Sequence, residues 1–264
     1  MSFFCVDSMT AGYGKHNIIN KISFHLEKGS VVGILGANGS GKTTLLKSVC
    51  GILPHSGTGT LDGTILEDLS PRQLARLCSY IPQRSGISID ISALDVVLMG
   101  FNPHLGLLEH PTKAMKEFAQ KTLAQVGLGG KEQTNYLHLS EGQKQLCILA
   151  RTLVSDCKLL LLDEPESALD FRYRHQVLET LREWIDHKQS CALVTLHDPM
   201  LALNYCDKLL LLSDGVLMGE ILPQSDSLQR MEVLLETLYG PVSLHRCKTR
   251  NGKAHIVMLR EDAQ

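Results

Sequence analysis

The string Gly36-Ala37-Asn38-Gly39-Ser40-Gly41-Lys42-Thr43, followed by Thr44, holds the residue types that grip a chain of phosphates. A nucleoside triphosphate carries about four negative charges, and a loop running from a buried strand into a helix meets them with backbone N–H groups and a helix N-terminus. Glycines at 36, 39 and 41 let the backbone approach without a Cβ in the way. Lys42 supplies a compact positive charge for the β- and γ-phosphates, and the Thr43 hydroxyl can ligate Mg²⁺. Further on, Leu159-Leu160-Leu161-Leu162-Asp163-Glu164 delivers two carboxylates at the end of an apolar run. Asp163 is suited to holding the Mg²⁺ shell and Glu164 to polarising an attacking water. Acids often follow strands as turn residues; the pairing with the glycine-rich loop is what gives these two their meaning.

Such a loop needs a strand before it and a helix after it. Val31-Val32-Gly33-Ile34-Leu35 reads as the buried strand and Thr43 to Val49 as the helix, stopping at Gly51. Two strand-like pieces, Ser2 to Val6 and Ile22 to Leu26, open the chain. Gly57, Gly59 and Gly63 mark turns between short strands, and Pro71 to Leu77 reads as a helix leading to Cys78–Gln83. From Ile87 to about Cys157 the texture is helical: Met115, Phe118, Ala119, Leu123 and Val126 recur at helical spacing, with Gly127 as a stop. Ser140 with Gln143 three residues on forms a capping box that starts a helix at Glu141. Strand texture returns at Leu159–Leu162, Ala192–Leu196 and Leu209–Leu212 with helices between, which implies a parallel sheet and makes the helical block an insertion. A late helix carries Leu228, Met231, Leu234, Leu235 and Leu238 on one face and ends at Gly240-Pro241. Asn251-Gly252 then reads as the two-residue turn of a hairpin joining Leu244–Cys247 to His255–Leu259.

In order, Tyr13, the phosphate loop, Gln83, Leu139-Ser140-Glu141-Gly142-Gln143, Asp163-Glu164, Ser167-Ala168-Leu169-Asp170 and His197 resemble the ATP-binding subunit of ABC transporters. The resemblance spans about residues 3 to 240. It implies an α/β fold: a P-loop NTPase core of RecA-like type with a mostly parallel sheet and antiparallel strands at the N-terminus. Residues 1–86 and 157–240 would form that core, 87–156 an inserted helical subdomain carrying the signature motif, and 241–264 a hairpin extension. It also implies ATP and Mg²⁺ as ligands, with residues 36–44 on the nucleotide and Tyr13 stacked on adenine. Gln83 would sense the γ-phosphate and Mg²⁺ beside Thr43 and Asp163, Glu164 would serve as catalytic base, and His197 would contact the γ-phosphate. Ser140, Gly142 and Gln143 would close the site of the opposite subunit of a homodimer, with Asp170 across the interface. Glu141 departs from the family's usual Leu-Ser-Gly-Gly-Gln; its carboxylate is expected to point away from the nucleotide.

Within that family, Asp95–Gly100 followed by Pro103-His104-Leu105-Gly106-Leu107, together with Gln145-Leu146, look like the importers of iron–siderophore complexes, haem and vitamin B12. The resemblance implies a separate permease, which receives its contact near Phe101, Leu105, Leu107 and Leu108, and indirectly a substrate-binding protein. It places the chain at the cytoplasmic face of the membrane, as a peripheral subunit. The alternatives are a soluble ABC-type ATPase, for instance in iron–sulfur assembly, and a transporter subunit for another substrate. A GTPase is disfavoured because Asn20-Lys21-Ile22-Ser23 ends in serine and precedes the loop.

Size and composition agree. At 264 residues and 44 % hydrophobic, the chain can bury a sizeable core. A net charge of −2 gives no general attraction to nucleic acid, and no such partner is expected. The eight cysteines are scattered without a CxxC pair, as in a reduced protein. The N-terminus shows no signal-peptide pattern, and apolar runs such as Leu209–Leu212 are far shorter than the ~20 residues that span a bilayer.

Overall fold

The computed structural model describes residues 2–83, 86–106, 108–167 and 169–261. Leu107 and Ala168, both singled out above, lie outside the described residues. The chain opens with two long antiparallel strands, β1 (Phe4–Tyr13) and β2 (His16–Leu26), where the sequence suggested two short pieces. The polar stretch between those pieces becomes strand because β1 is paired on both sides, so its backbone groups are satisfied despite the side chains.

β3 (Val31–Leu35) is buried along its whole length and leads through the phosphate loop into α1 (Lys42–Val49). β4 (His55–Leu61) then runs straight through Gly57 and Gly59, and only Gly63 turns the chain, into β5 (Thr64–Ile65). Gly57 is a bulge glycine, not a turn: its φ is +88°, and an added Cβ would come 2.5 Å from the Asp7 carbonyl, where the β1–β4 register shifts. α2 (Pro71–Leu77) feeds β6 (Cys78–Ile81), as expected.

The middle of the chain is helical: α3 (Ala93–Leu98), α4 (Lys113–Gln125) and α5 (Glu141–Leu153). Ala119 and Leu123 of α4 and the following Val126 are buried, Phe118 faces outward, and Gly127 takes the left-handed φ of +86° that ends the helix. The Ser140–Gln143 capping box forms as read, with Gln143 N–H donating to Ser140 Oγ and Ser140 N–H to Gln143 Oε1.

Thereafter strands and helices alternate: β7 (Leu159–Asp163), α6 (Phe171–Lys188), β8 (Cys191–Thr195), α7 (Pro199–Tyr205), β9 (Lys208–Ser213), β10 (Val216–Ile221) and α8 (Leu228–Tyr239). The main sheet has the order β10-β9-β3-β8-β7-β6, parallel except at β10, and a second, antiparallel sheet has the order β2-β1-β4-β5. Because side chains alternate along a strand, β7 serves two cores. Leu159 and Leu161 pack with α1 and the antiparallel sheet, while Leu160 and Leu162 pack with the helices, including those of the middle block. All four are fully buried, each stabilising the fold by roughly 1.5–3 kcal/mol.

The chain closes with the hairpin β11 (Val242–Lys248) and β12 (Ala254–Arg260). Its turn is longer than the two-residue Asn251-Gly252 connection expected from the sequence. Thr249 N–H donates to Lys253 O, so Arg250, Asn251 and Gly252 form a three-residue loop, with Gly252 at φ +78°. A residue in the left-handed region at the third loop position is what such a loop requires. The hairpin is sewn to the body: Asn204 of α7 donates to Ile256 O and accepts from Ile256 N–H, both at 2.8 Å.

Candidate functional site

The phosphate loop is built by steric necessity. A Cβ at Gly36 would lie 2.2 Å from the Leu212 carbonyl, and Gly39 and Gly41 take φ of +83° and +106°, values that favour glycine. Lys42 Nζ donates to Gly36 O at 2.8 Å and Ala37 O at 3.2 Å, so the ammonium is held inside the curve of its own loop. Burial pushes its pKa below the ordinary lysine value, and the carboxylates of Glu164, Asp163 and Glu166 push back. Among the described residues, Ser40 Oγ is buried with no hydrogen-bond partner. An orphaned hydroxyl beside an amide-lined cradle suits a phosphate oxygen.

A groove of about 240 Å³ runs over the loop, lined by Tyr13, Ile18, Asn38, Gly39, Gly41, Lys42, Thr43, Thr44 and Glu164. Tyr13 is 52 % exposed at the end of β1, leaving a ring face available for stacking. Asp163 stands at the C-terminal end of β7 and is gripped by three hydroxyls. Thr43 Oγ1 (3.1 Å) and Thr195 Oγ1 (2.9 Å) donate to Oδ1, and Tyr80 OH (3.2 Å) donates to Oδ2. Burial and then the Asp163 charge raise the Tyr80 pKa, so its phenol stays a donor. The Thr43–Asp163 pair offers the hard oxygens Mg²⁺ takes, with too few of them to complete a shell without phosphate oxygens.

Glu164, in the left-handed region at φ +51°, is fixed from several directions. Its N–H donates to Thr195 Oγ1 at 2.9 Å. One carboxylate oxygen receives Gln83 Nε2 and the other lies 2.6 Å from His197 Nε2. Gln83 and His197 therefore converge on Glu164, the chain neighbour of Asp163.

Four predicted residues stand elsewhere. Ser140 caps α5, Gly142 and Gln143 lie in its first turn, and Asp170 caps α6 by accepting from Tyr173 N–H. None lines the groove over the phosphate loop. Glu141 pairs with Lys144 on its own helix at 2.7 Å, its side chain largely exposed. Sequence reasoning missed Tyr80, Thr195 and Glu166, whose partners lie 83, 32 and 31 residues away.

The sequence matches the ABC transporter family over residues 19–167. The chain belongs to that family. It is 36 % identical over 215 residues to the hemin import ATP-binding protein HmuV of Deinococcus radiodurans, covering 80 % of each chain. It is 33 % identical over 211 residues to the ABC transporter ATP-binding protein YvrA of Bacillus subtilis; that match takes in 79 % of this chain and 48 % of the longer relative. Among solved structures, one described as a metal-chelate type ABC transporter in an inward-facing conformation superposes with a TM-score of 0.82, 26 % identity and 99 % coverage of both chains. This ABC protein is thus an ATPase, and its α/β architecture is that of the family.

Proposed function

We propose that the chain is the ATP-hydrolysing subunit of an importer that takes up a metal chelate such as iron–siderophore, haem or vitamin B12 through a separate permease. Two copies sandwich ATP, bound to the permease at the cytoplasmic face of the membrane, with a substrate-binding protein delivering cargo outside. Residues 1–86 and 157–240 act as the nucleotide-binding core, 87–156 as the helical subdomain, and 241–264 as an extension. The observation that carries the reading is the separation within one copy of the groove over residues 36–44 from the exposed Ser140 helix N-terminus. A helix N-terminus offering a hydroxyl and free amides suits a γ-phosphate, and a twofold pairing supplies one from a neighbour. The metal-chelate cargo is supported by the names of the HmuV relative and of the superposed transporter. Among the described residues no helix is long and apolar enough to cross a membrane.

In this reading residues 36–44 cradle the phosphates and Tyr13 stacks on the adenine. Thr43, Asp163 and Gln83 would hold Mg²⁺, which when bound neutralises charge on the phosphates. Glu164 accepts the proton of the attacking water, while Gln83 and His197 orient its carboxylate. Ser140, Gly142 and Gln143 of the neighbour reach the γ-phosphate, and Asp170 meets the neighbour across the interface. Because the γ-phosphate contacts both copies, ATP favours the closed pair and hydrolysis releases it.

The test is Glu164→Gln, purified and mixed with ATP and Mg²⁺. Size exclusion with light scattering should show a dimer with ATP and a monomer without it, and Ser140→Arg in the same background should abolish the dimer. A variant that stays monomeric at saturating ATP refutes the two-copy site. Cargo is read separately, by reconstituting the chain with its co-purifying permease and comparing uptake of the three chelates.

A further inference from the structure

Glu166 is the least expected charged residue of the site. It is only 2 % exposed, and burying a carboxylate is costly unless hydrogen bonds compensate. Among the described residues, Oε1 accepts the backbone N–H of His197 at 3.0 Å, while Oε2 is buried without a partner. Desolvation raises its pKa, opposed first by that N–H. A side chain kept only for packing would do better as leucine.

The His197 N–H needs such a partner. β8 ends at Thr195, and Leu196 N–H still reaches Ile34 O of β3 at 3.2 Å. His197 is the first residue beyond the ladder, and Asp198 directs its own side chain forward to the amides of Met200 and Leu201. On the opposite side, a tight turn follows β7, with Ser167 N–H donating to Glu164 O and Leu169 N–H to Glu166 O. Two carboxylates of this one turn hold the histidine at both ends, Glu164 at ring Nε2 and Glu166 at the backbone.

We infer that Glu166 is a positioning residue for ATP hydrolysis, fixing the backbone of His197 so that its imidazole stays on Glu164. The inference rests on the proposed part of His197 in hydrolysis. It assigns Glu166 no contact with nucleotide, so it predicts an effect on turnover and not on binding.

The experiment measures steady-state hydrolysis for Glu166→Leu, Glu166→Ala, Glu166→Gln, His197→Ala and the double variant Glu166→Leu/His197→Ala. The same proteins are followed by hydrogen exchange across residues 196–198. The leucine and alanine variants should lower kcat about tenfold, the scale of losing one hydrogen bond to a charged acceptor, with KM for ATP within about twofold. The glutamine variant, whose amide oxygen can take the same N–H, should recover most of the loss. In the His197→Ala background the leucine change should add less than about twofold, because coupled residues are not additive. Exchange at 196–198 should quicken in the leucine and alanine variants and not in the glutamine one. Wild-type turnover in both acceptor-deleting variants, or an equal loss with and without His197, overturns the inference. If His197→Ala itself hydrolyses ATP normally, the part given to His197 falls and the inference falls with it. The two failures are therefore told apart by the His197→Ala control.

Discussion

Replacing Thr195 by valine tests how the two carboxylates of the site are held. The side chain is fully buried and valine has nearly its shape, so the change isolates the hydroxyl. That hydroxyl donates to Asp163 Oδ1 and accepts Glu164 N–H, each at 2.9 Å. Losing the first removes a charge-assisted bond of about 1.5–3 kcal/mol, and losing the second strands a buried N–H at about 1–3 kcal/mol. Asp163 keeps Thr43 and Tyr80, so the lower ends apply and the total is about 2.5 kcal/mol. For a chain of this size each kcal/mol moves the melting temperature by roughly 2–4 °C, which predicts a fall of about 5–10 °C. Thr195→Ser keeps both bonds and deletes one methyl, so it should cost only about 1 kcal/mol, or roughly 2–4 °C. Scanning calorimetry of the three proteins is the assay, with hydrolysis rates alongside, since Glu164 loses an anchor at its strained φ. If the valine variant melts within about 2 °C of wild type, or below the serine variant by no more than that, the hydroxyl is not what holds the carboxylates.

Three further outcomes are expected. Gly36→Ala places a Cβ 2.2 Å from the Leu212 carbonyl, whereas at Gly39 the space is open and only φ +83° resists; Gly39→Ala should therefore cost about 1–2 kcal/mol by denaturant unfolding and Gly36→Ala clearly more. Maleimide labelling at pH 8, read by mass spectrometry, should modify the exposed Cys247 first, with Cys147 and Cys157 silent until unfolding because both are buried and their pKa values are pushed up to about 12 and about 11. Cys50 lines an open groove, yet burial raises its pKa to about 11. The thiolate is the reactive form, so Cys50 labelling should quicken about tenfold per pH unit between pH 8 and 10. A rate that levels off above about pH 9 would show its thiol to be unshifted.

What the sequence revealed and what it hid divide by distance along the chain. The phosphate loop, the Ser140 capping box and the strand ending at Asp163 depend on residues a few places apart, so their patterns could be read directly. Tyr80, Thr195 and Glu166 could not, because a lone tyrosine, threonine or glutamate says nothing until the sheet brings its partner alongside. The misread glycines have a similar cause. Gly57 has the same type and polar surroundings as a turn glycine, and only the strand opposite, with its shifted register at Asp7 to Thr10, makes it a bulge. At the C-terminal hairpin, Asn-Gly suggested the shortest turn, but the bond from Thr249 to Lys253 sets a loop one residue longer. Pairing, which is not local, decided both.

The register of the main sheet explains why these missed residues belong to one design. β7 pairs with β6 through Ile81 and Leu162 and with β8 through Asp163 and Thr195. Parallel strands in this alignment place their C-terminal ends side by side, which is where such sheets bind ligands. Tyr80 on one flank and Thr195 on the other can then reach the same carboxylate from opposite sides. A slip of one residue between β7 and β8 would send Thr195 to the other face of the sheet. It would take the hydroxyl from Asp163 and the anchor from Glu164 in one step. The same slip would expose the alternation by which Leu159 and Leu161 fill one core and Leu160 and Leu162 the other. The four leucines therefore fix the chemistry as well as the fold: their burial selects the one register in which both carboxylates are held.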